Sequence, residues 1–226
     1  MEKMNFADEL HPSFAPEKLA VRLGGRKNRR LSYATRNKVH TSREKVQDLM
    51  RPRITYRIRE IQNNNGRLIT LENQMKFKSP KLARTLRDGS RVVCFVATIG
   101  RAIDKEIKKL MHINRLSEAY IIDSLGSVAI EDMVDRFQKR MTSELNKGGQ
   151  TSTLRFSPGY CDWPITEQKK LFALLNTGEI DVGLTDSCLM SPRKSISGIF
   201  GITPENADLY NPCVDCHRTK CEARRN

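Results

Sequence analysis

No apolar run in the sequence approaches the roughly 18 residues of a membrane-spanning helix, which argues against an integral membrane protein of the helical kind. The opening segment, Met1 to Phe6, has no apolar signal region, so we expect a protein that is not exported. The sequence also lacks a Gly-Lys-Ser/Thr phosphate loop and a recognisable set of nucleophile, histidine and acid. It therefore indicates no catalytic residue.

What is present describes a soluble chain. Its 226 residues are 38% hydrophobic, with a mean hydropathy of −0.55, and we expect one domain with extensions. Six cysteines without a secretory signal favour reduced thiols or metal ligands over a disulfide framework. These features together predict a cytoplasmic protein.

The formal charge of +14 is concentrated near the N-terminus. Residues 1–60 contain fifteen Lys or Arg and seven Asp or Glu residues, and the densest basic stretch is 24–30. A basic extension of this kind is attracted to polyanions whether or not that is its function. We interpret it as a solvated extension or a face that docks an acidic partner protein. A dedicated nucleic-acid site is disfavoured because residues 24–30 contain no aromatic residues.

Hydrophobic periodicity predicts the α+β class, with strands clustered after the helices. The apolar run 91–97 predicts a strand covered on both faces, and residues 101–146 predict two helices. The remaining elements expected are as follows: a helix that opens at a capping box over 41–44; renewed helical spacing at Ile54, Ile58 and Ile61; a strand at 67–71; a short helix from Ser79-Pro80 to Leu86; strands at 153–156, 180–185 and 195–202; and a helix at 166–175.

The segment 155–160 reads Arg-Phe-Ser-Pro-Gly-Tyr, an R-x-x-x-G-Y pattern at a predicted strand-to-loop junction. The Arg155 guanidinium is suited to a bidentate contact with a carboxylate, and Gly159 lets backbone approach a ligand. Tyr160 offers a ring face to an adenine or to a sulfonium cation. These are the parts needed to hold an amino-acid carboxylate beside a flat or cationic group. Taken alone, the pattern is also compatible with a tight loop.

A second segment, 185–198, contains Ser195-Ile-Ser-Gly198 and leads into Ile199-Phe200-Gly201. An aromatic residue and a flexible backbone at the end of a strand could complete a nucleoside pocket. The alternative is a buried strand whose two serines are hydrogen-bonded within the protein.

The tail carries Cys213, Cys216 and Cys221 in a C-x-x-C-x4-C spacing. The C-x-x-C part can direct two thiolates at one metal, and zinc or iron–sulfur sites normally take four ligands. Cys161 and Cys188 are both candidates for the fourth ligand. Reduced or redox-active thiols without metal are the alternative.

The two central segments resemble the activation domain of cobalamin (vitamin B12)-dependent methionine synthase. The match consists of the R-x-x-x-G-Y motif and an S-x-S-G strand followed by an aromatic residue. Further similar sequence lies at 97–100, 119–131, 162–164 and 167–169. It covers roughly residues 42–204 and is similar to stand-alone members of the family. The implied organisation is a basic extension over 1–40, an activation-like domain over 41–210 and a cysteine-rich tail over 211–226.

This resemblance implies a twisted, mostly antiparallel sheet with flanking helices. It also implies a site for S-adenosylmethionine (AdoMet) made by Arg155, Gly159, Tyr160, Ser197, Gly198, Phe200 and an acidic residue, for which Glu131 is the candidate. The expected function is accessory: the chain would supply AdoMet for reductive methylation of cob(II)alamin in a cobalamin-dependent methionine synthase or related corrinoid methyltransferase. A flavodoxin-like protein is a candidate electron donor. The alternative is an iron–sulfur or zinc scaffold of corrinoid metabolism with a degenerate pocket.

Overall fold

A computed structural model describes residues 12–23 and 32–216. Its helices are α1 (Pro16–Arg22), α2 (Tyr33–Leu49), α3 (Pro80–Thr85), α4 (Ala102–His112), α5 (Leu116–Asn146) and α6 (Gln168–Ala173). Its strands are β1 (Arg53–Asn64), β2 (Leu68–Leu71), β3 (Lys76–Lys78), β4 (Arg91–Thr98), β5 (Gln150–Ser152), β6 (Gly183–Leu184), β7 (Met190–Ser191) and β8 (Ser195–Pro204). Short 3-10 turns cover Ile165–Glu167 and Thr177–Ile180.

Six strands form one antiparallel sheet in the order β3-β2-β1-β4-β8-β5, and β6 pairs with β7 in a separate ribbon. The expected α+β class, with an antiparallel sheet and flanking helices, is confirmed. In the described part of the chain, no helix combines the length and apolar composition that crossing a membrane requires.

The central strand β4 is buried on both faces, as its apolar run predicts. Val93, Phe95 and Ala97 belong to the core under α1, α2, α4 and α5. The alternate residues Val92, Cys94 and Val96 belong to a second core, which also contains residues of α3 and α6. Successive side chains of a strand point to opposite faces, so a strand with helices on both sides has to be apolar throughout.

The predicted helical continuation over Ile54, Ile58 and Ile61 is wrong, because this segment is strand β1. A spacing of four residues suits a helix, but it is also an even number and so keeps Ile54 and Ile58 on one face of a strand. Both pack against the core under α5, whereas Ile61, at an odd offset, packs against the second core. Pairing of β1 with both β2 and β4 decides between the two patterns.

The bounds of four other predicted elements are also corrected. The helix expected from 41–44 begins at Tyr33, where the Ser32 side chain accepts a hydrogen bond from the Thr35 N–H at 3.2 Å. The strand expected at 153–156 is the shorter β5 at 150–152, followed by a single bridge between Phe156 and Ile199. The helix expected at 166–175 is a 3-10 turn followed by α6, and the strand expected at 180–185 shortens to β6.

Candidate functional site

The segment that carries Arg155 and Gly159 is laid along β8. Phe156 and Ile199 exchange two backbone hydrogen bonds of 2.7 and 2.8 Å. A Cβ atom at Gly198 would lie 2.9 Å from the Phe156 carbonyl oxygen and 3.1 Å from the Ser157 Oγ. Gly198 therefore seats this segment against the sheet, because any larger residue would push the two backbones apart.

Gly159 forms the turn of the segment. Its φ is +91°, a conformation that favours glycine, and its N–H donates to the Trp163 carbonyl oxygen at 2.8 Å. Trp163 is buried and packs on the Phe77 and Phe156 rings at centroid distances of 5.5 and 6.0 Å. The turn is thus fixed to the second core, and this leaves Tyr160 half exposed at its outer end.

The Arg155 side chain is 8% exposed and lies between two carboxylates of α5. Its Nη1 donates to Asp135 Oδ1 at 2.6 Å, and its Nη2 donates to Glu131 Oε2 at 2.7 Å. Glu131 is the acidic residue singled out from the sequence. Asp135 was missed, although its position one helical turn after Glu131 places both carboxylates on one face of α5.

Helix α1 reaches the same group of charges. Lys18 Nζ donates to the second oxygen of Asp135 at 3.0 Å, and the Ser13 N–H donates to Asp132 at 2.7 Å. Burial raises the pKa of the Asp135 carboxyl, but the hydrogen bonds and charges of Arg155 and Lys18 outweigh burial and leave that pKa below its usual value. The site thus places the carboxylates of Glu131 and Asp135 against the basic side chains of Arg155 and Lys18.

These side chains border a cavity of about 840 Å³. Of the residues predicted for the AdoMet site, the structure brings five to its wall: Glu131, Arg155, Gly159, Tyr160 and Ser197. The cavity is also bordered by α1 through Lys18 and Val21, by Gln168 and Leu189, and by tail residues 211–213 and 216. The arrangement offers charges of both signs at one part of the wall and an aromatic ring at another.

The Phe200 ring, which the resemblance assigns to the AdoMet site, does not border this cavity. Phe200 is 1% exposed and packs in the core under α5 against Phe95 and Phe137, each at a centroid distance of 6.1 Å. Phe200 lies three residues after Ser197, so the two side chains leave opposite faces of β8. The alternation of side chains along a strand is the signal that predicts this placement. Gly198 does not border the cavity either and acts through the packing described above.

The serines of β8 follow the alternative interpretation of a buried, satisfied pair. Ser197 Oγ donates to Gln168 Oε1 at 2.7 Å, and Ser195 Oγ donates to the Pro192 carbonyl oxygen at 2.7 Å. Both hydroxyls thus have partners within the protein. Ser197 holds Gln168 of α6 in place at the cavity wall.

Four cysteines border the cavity, namely Cys161, Cys188, Cys213 and Cys216. Cys221, the third thiol of the tail pattern, lies outside the described residues. Within 12–23 and 32–216, no group of three His, Cys, Asp or Glu side chains is arranged to hold a metal ion. A zinc or iron–sulfur site that includes Cys221 stays a prediction.

Comparison with solved structures gives the fold class first. The chain is similar to a structure described as the MetH reactivation domain bound to AdoHcy, with a TM-score of 0.64 and 15% sequence identity over 89% of this chain and 77% of that one. No curated protein sequence matches the chain. The sequence model of the family described as vitamin B12 dependent methionine synthase, activation domain, matches residues 90–223. The chain belongs to this family, as the two motifs predict.

Proposed function

We propose that this protein binds AdoMet in the cavity beside Arg155 and presents its methyl group to the cobalamin of a separate B12-dependent methionine synthase. Membership of the activation-domain family supports the role in reactivation. The observation that carries the ligand assignment is the Arg155 guanidinium held between Glu131 and Asp135 at the wall of the cavity.

The charges at the wall match the amino-acid end of AdoMet, which carries one carboxylate and one ammonium group. In the proposed complex, the ligand carboxylate binds Arg155, and its ammonium group binds Glu131 or Asp135. The pairs that Arg155 makes with Glu131 and Asp135 are then exchanged for pairs with the ligand, and with the ammonium group on Glu131 no buried charge is left without a partner. Lys18 continues to form an ion pair with Asp135 in this complex.

The cavity also has space for the sulfonium and adenosine parts of AdoMet and an aromatic ring that can contact them. The cavity volume of about 840 Å³ lies within the range of roughly 300–1,000 Å³ that is usual for small-molecule sites. The half-exposed Tyr160 ring can face the sulfonium or the adenine, since aromatic faces attract cations. The AdoHcy in the related MetH reactivation domain structure is consistent with a ligand of this class.

In this proposal, the chain contributes to the reaction by positioning AdoMet. The partner's cobalamin would supply the nucleophile: cob(II)alamin together with one electron from a donor, which we propose to be flavodoxin-like, would take up the methyl cation of AdoMet and leave AdoHcy. The residues of this chain hold the ligand at one end and orient the methyl group toward the partner, which lowers the entropic part of the barrier. No proton is transferred, so no general acid or base is required.

The charge of the chain suits such partners. Its formal charge of +14 favours encounter with an acidic flavodoxin-like donor or an acidic cobalamin-binding protein. Raising the salt concentration should therefore slow the association of this protein with its partner, because surface charges are screened.

Calorimetry with AdoMet and AdoHcy tests the ligand. We expect binding by the wild type, and a loss of about 2 kcal/mol or more in Arg155→Ala, the scale of an unpaired charged contact. Arg101→Ala is the matched control, because Arg101 also pairs with a carboxylate, that of Asp181, but lies outside the cavity. Arg155→Lys, which keeps the charge, serves if Arg155→Ala fails to fold. Equal affinity in wild type and both Arg155 variants would remove this residue from the site.

Transfer of the methyl group tests the role itself. A B12-dependent methionine synthase that lacks its own activation domain is supplied with labelled AdoMet and a reductant. Label on its cobalamin only when this protein is added supports the proposal. Equal labelling without the protein contradicts it.

A further inference from the structure

Two of the cysteines at the cavity wall are brought together by the first turn of α3. The carboxylate of Asp162, next to Cys161, accepts hydrogen bonds from Ser79 Oγ at 2.6 Å and from the Lys81 N–H at 3.0 Å. The carbonyl oxygen of Asp215, next to Cys216, accepts a hydrogen bond from Lys81 Nζ at 3.1 Å. Helix α3 therefore binds the neighbours of both cysteines.

The tail is held to α3 by further contacts. The Asp215 carboxylate pairs with Arg84 at 3.0 Å and accepts a hydrogen bond from the Tyr210 hydroxyl at 3.0 Å. The Arg84 guanidinium also lies over the Tyr210 ring, 4.1 Å from its centroid. Residues 210–216 consequently form a wall of the cavity, with Asn211, Pro212, Cys213 and Cys216 on its lining.

As a result, Cys161 and Cys216 lie on the same part of the cavity wall beside Lys81, although they are far apart in the sequence. Cys161 is exposed and thus accessible to small oxidants. We propose that Cys161 and Cys216 form a reversible disulfide that ties the C-terminal segment to the wall of the cavity. The C-x-x-C spacing alone would instead suggest a pair between Cys213 and Cys216.

The oxidant class is a small external disulfide, for which oxidised glutathione is the probe. The Cys161 thiolate attacks the glutathione disulfide and forms a mixed disulfide, which releases one glutathione thiolate. The Cys216 thiolate then attacks the Cys161 sulfur and releases the second. One S–S bond breaks and one forms, and the two protons of the cysteines end on the two glutathione thiols.

Burial and the neighbouring Cys216 raise the pKa of the Cys161 thiol above its usual value. The remaining charged or titratable groups that face the pair are Lys81, whose ammonium opposes this shift, and Cys213, Tyr210 and Asp215. Because Cys161 is exposed, a disulfide at this position would be reducible and would respond to oxidation rather than act as a permanent cross-link.

The disulfide would fix one wall of the AdoMet cavity. That consequence rests on the proposed function, but the disulfide itself does not, so its test is kept independent of ligand binding. Cys94 and Cys188 serve as internal controls, because both are buried and burial raises the pKa of Cys94 to about 12. Neither should react under conditions that oxidise the pair.

The experiment is peptide mapping of the full chain after incubation with reduced or with oxidised glutathione. We expect a peptide that links Cys161 to Cys216, at least about tenfold more abundant than any peptide that links Cys213 to Cys216, the ratio produced by a difference of about 30 mV in reduction potential. The linked peptide should vanish on reduction. Cys161→Ser should abolish it, and Cys213→Ser should preserve it.

Other outcomes overturn the proposal. A dominant disulfide between Cys213 and Cys216, a dominant disulfide that involves Cys221, or no disulfide under excess oxidant would each contradict it. Zinc or iron that stays bound in the presence of a chelator and protects these thiols from alkylation would assign them to a metal site instead.

Discussion

The Phe156 carbonyl oxygen lies so close to Gly198 that a Cβ atom there would be 2.9 Å away, a distance that real Cβ atoms essentially never show. The contact holds the segment that carries Arg155 on β8. We expect Gly198→Ala to lower the free energy of unfolding by about 1–3 kcal/mol, since the added methyl overpacks a site closed by backbone. Urea denaturation measures this. Gly183→Ala, where no atom lies within 4 Å of the added Cβ, should change stability by less than about 0.5 kcal/mol.

Gly159 and Gly149 both have positive φ, of +91° and +67°, but only Gly159 borders the cavity. Alanine at either position should therefore lower stability by about 1–2 kcal/mol, the strain of a left-handed L-residue. We expect AdoHcy affinity to fall in Gly159→Ala alone, because its Cβ would also meet Ile165 Cδ1 at 3.2 Å and shift the turn. Calorimetry on both variants makes the comparison. A similar loss of affinity in Gly149→Ala would show that strain acts on the site from a distance.

The Asp135 carboxyl has a pKa below its usual value, since Arg155 and Lys18 outweigh the effect of burial. A lowered pKa in the folded state stabilises the fold above the unfolded value of about 3.9, and this contribution is lost as pH falls through the folded value. The difference in unfolding free energy between wild type and Asp135→Asn should thus be constant from about pH 5 to 8 and shrink below about pH 4. Urea denaturation at a series of pH values checks it. A difference that grows toward acid pH would contradict this assignment.

Phe200 lies in the core, whereas Tyr160 lies half exposed at the cavity. Phe200→Ala should lower stability by about 3–5 kcal/mol and leave the AdoHcy affinity of the folded protein unchanged. Tyr160→Ala should change stability by no more than about 0.5 kcal/mol but weaken the binding of AdoHcy. Thermal denaturation and calorimetry separate the two effects. Phe200→Leu replaces Phe200→Ala if the latter does not fold. Weaker AdoHcy binding in a folded Phe200 variant would show that the ring contributes to the site.

Much of the fold could be predicted because its periodic signals are unambiguous. The apolar run of β4 and the long pattern of α5 each allow one interpretation, and both elements lie where expected. Strand β1 could not be assigned, since the spacing of Ile54 and Ile58 fits a helix and a strand equally well. Its long-range pairing with β2 and β4 removes the ambiguity, and no local window of sequence contains that pairing.

The residues of the candidate site likewise include some that the sequence predicted and others that only the structure revealed. Arg155, Gly159, Tyr160 and Glu131 were predicted from the motif and the family resemblance, and the structure places all four at the cavity. Lys18, Asp135 and Gln168 were missed because their proximity depends on how α1, α5 and α6 pack around the sheet. Cys161 and Cys216 were both noted, but their proximity depends on the binding of Asp162 and Asp215 to Lys81 of α3.

The sequence by itself determined the family and the fold class, and it predicted the residue types of the site, because motifs and hydrophobic periodicity are local properties of the chain. Only the tertiary structure decided which carboxylates face Arg155, that Phe200 packs in the core, and which cysteines border the cavity. Such contacts join residues that are distant in sequence, and their geometry follows from how sheet and helices pack rather than from the residues between them.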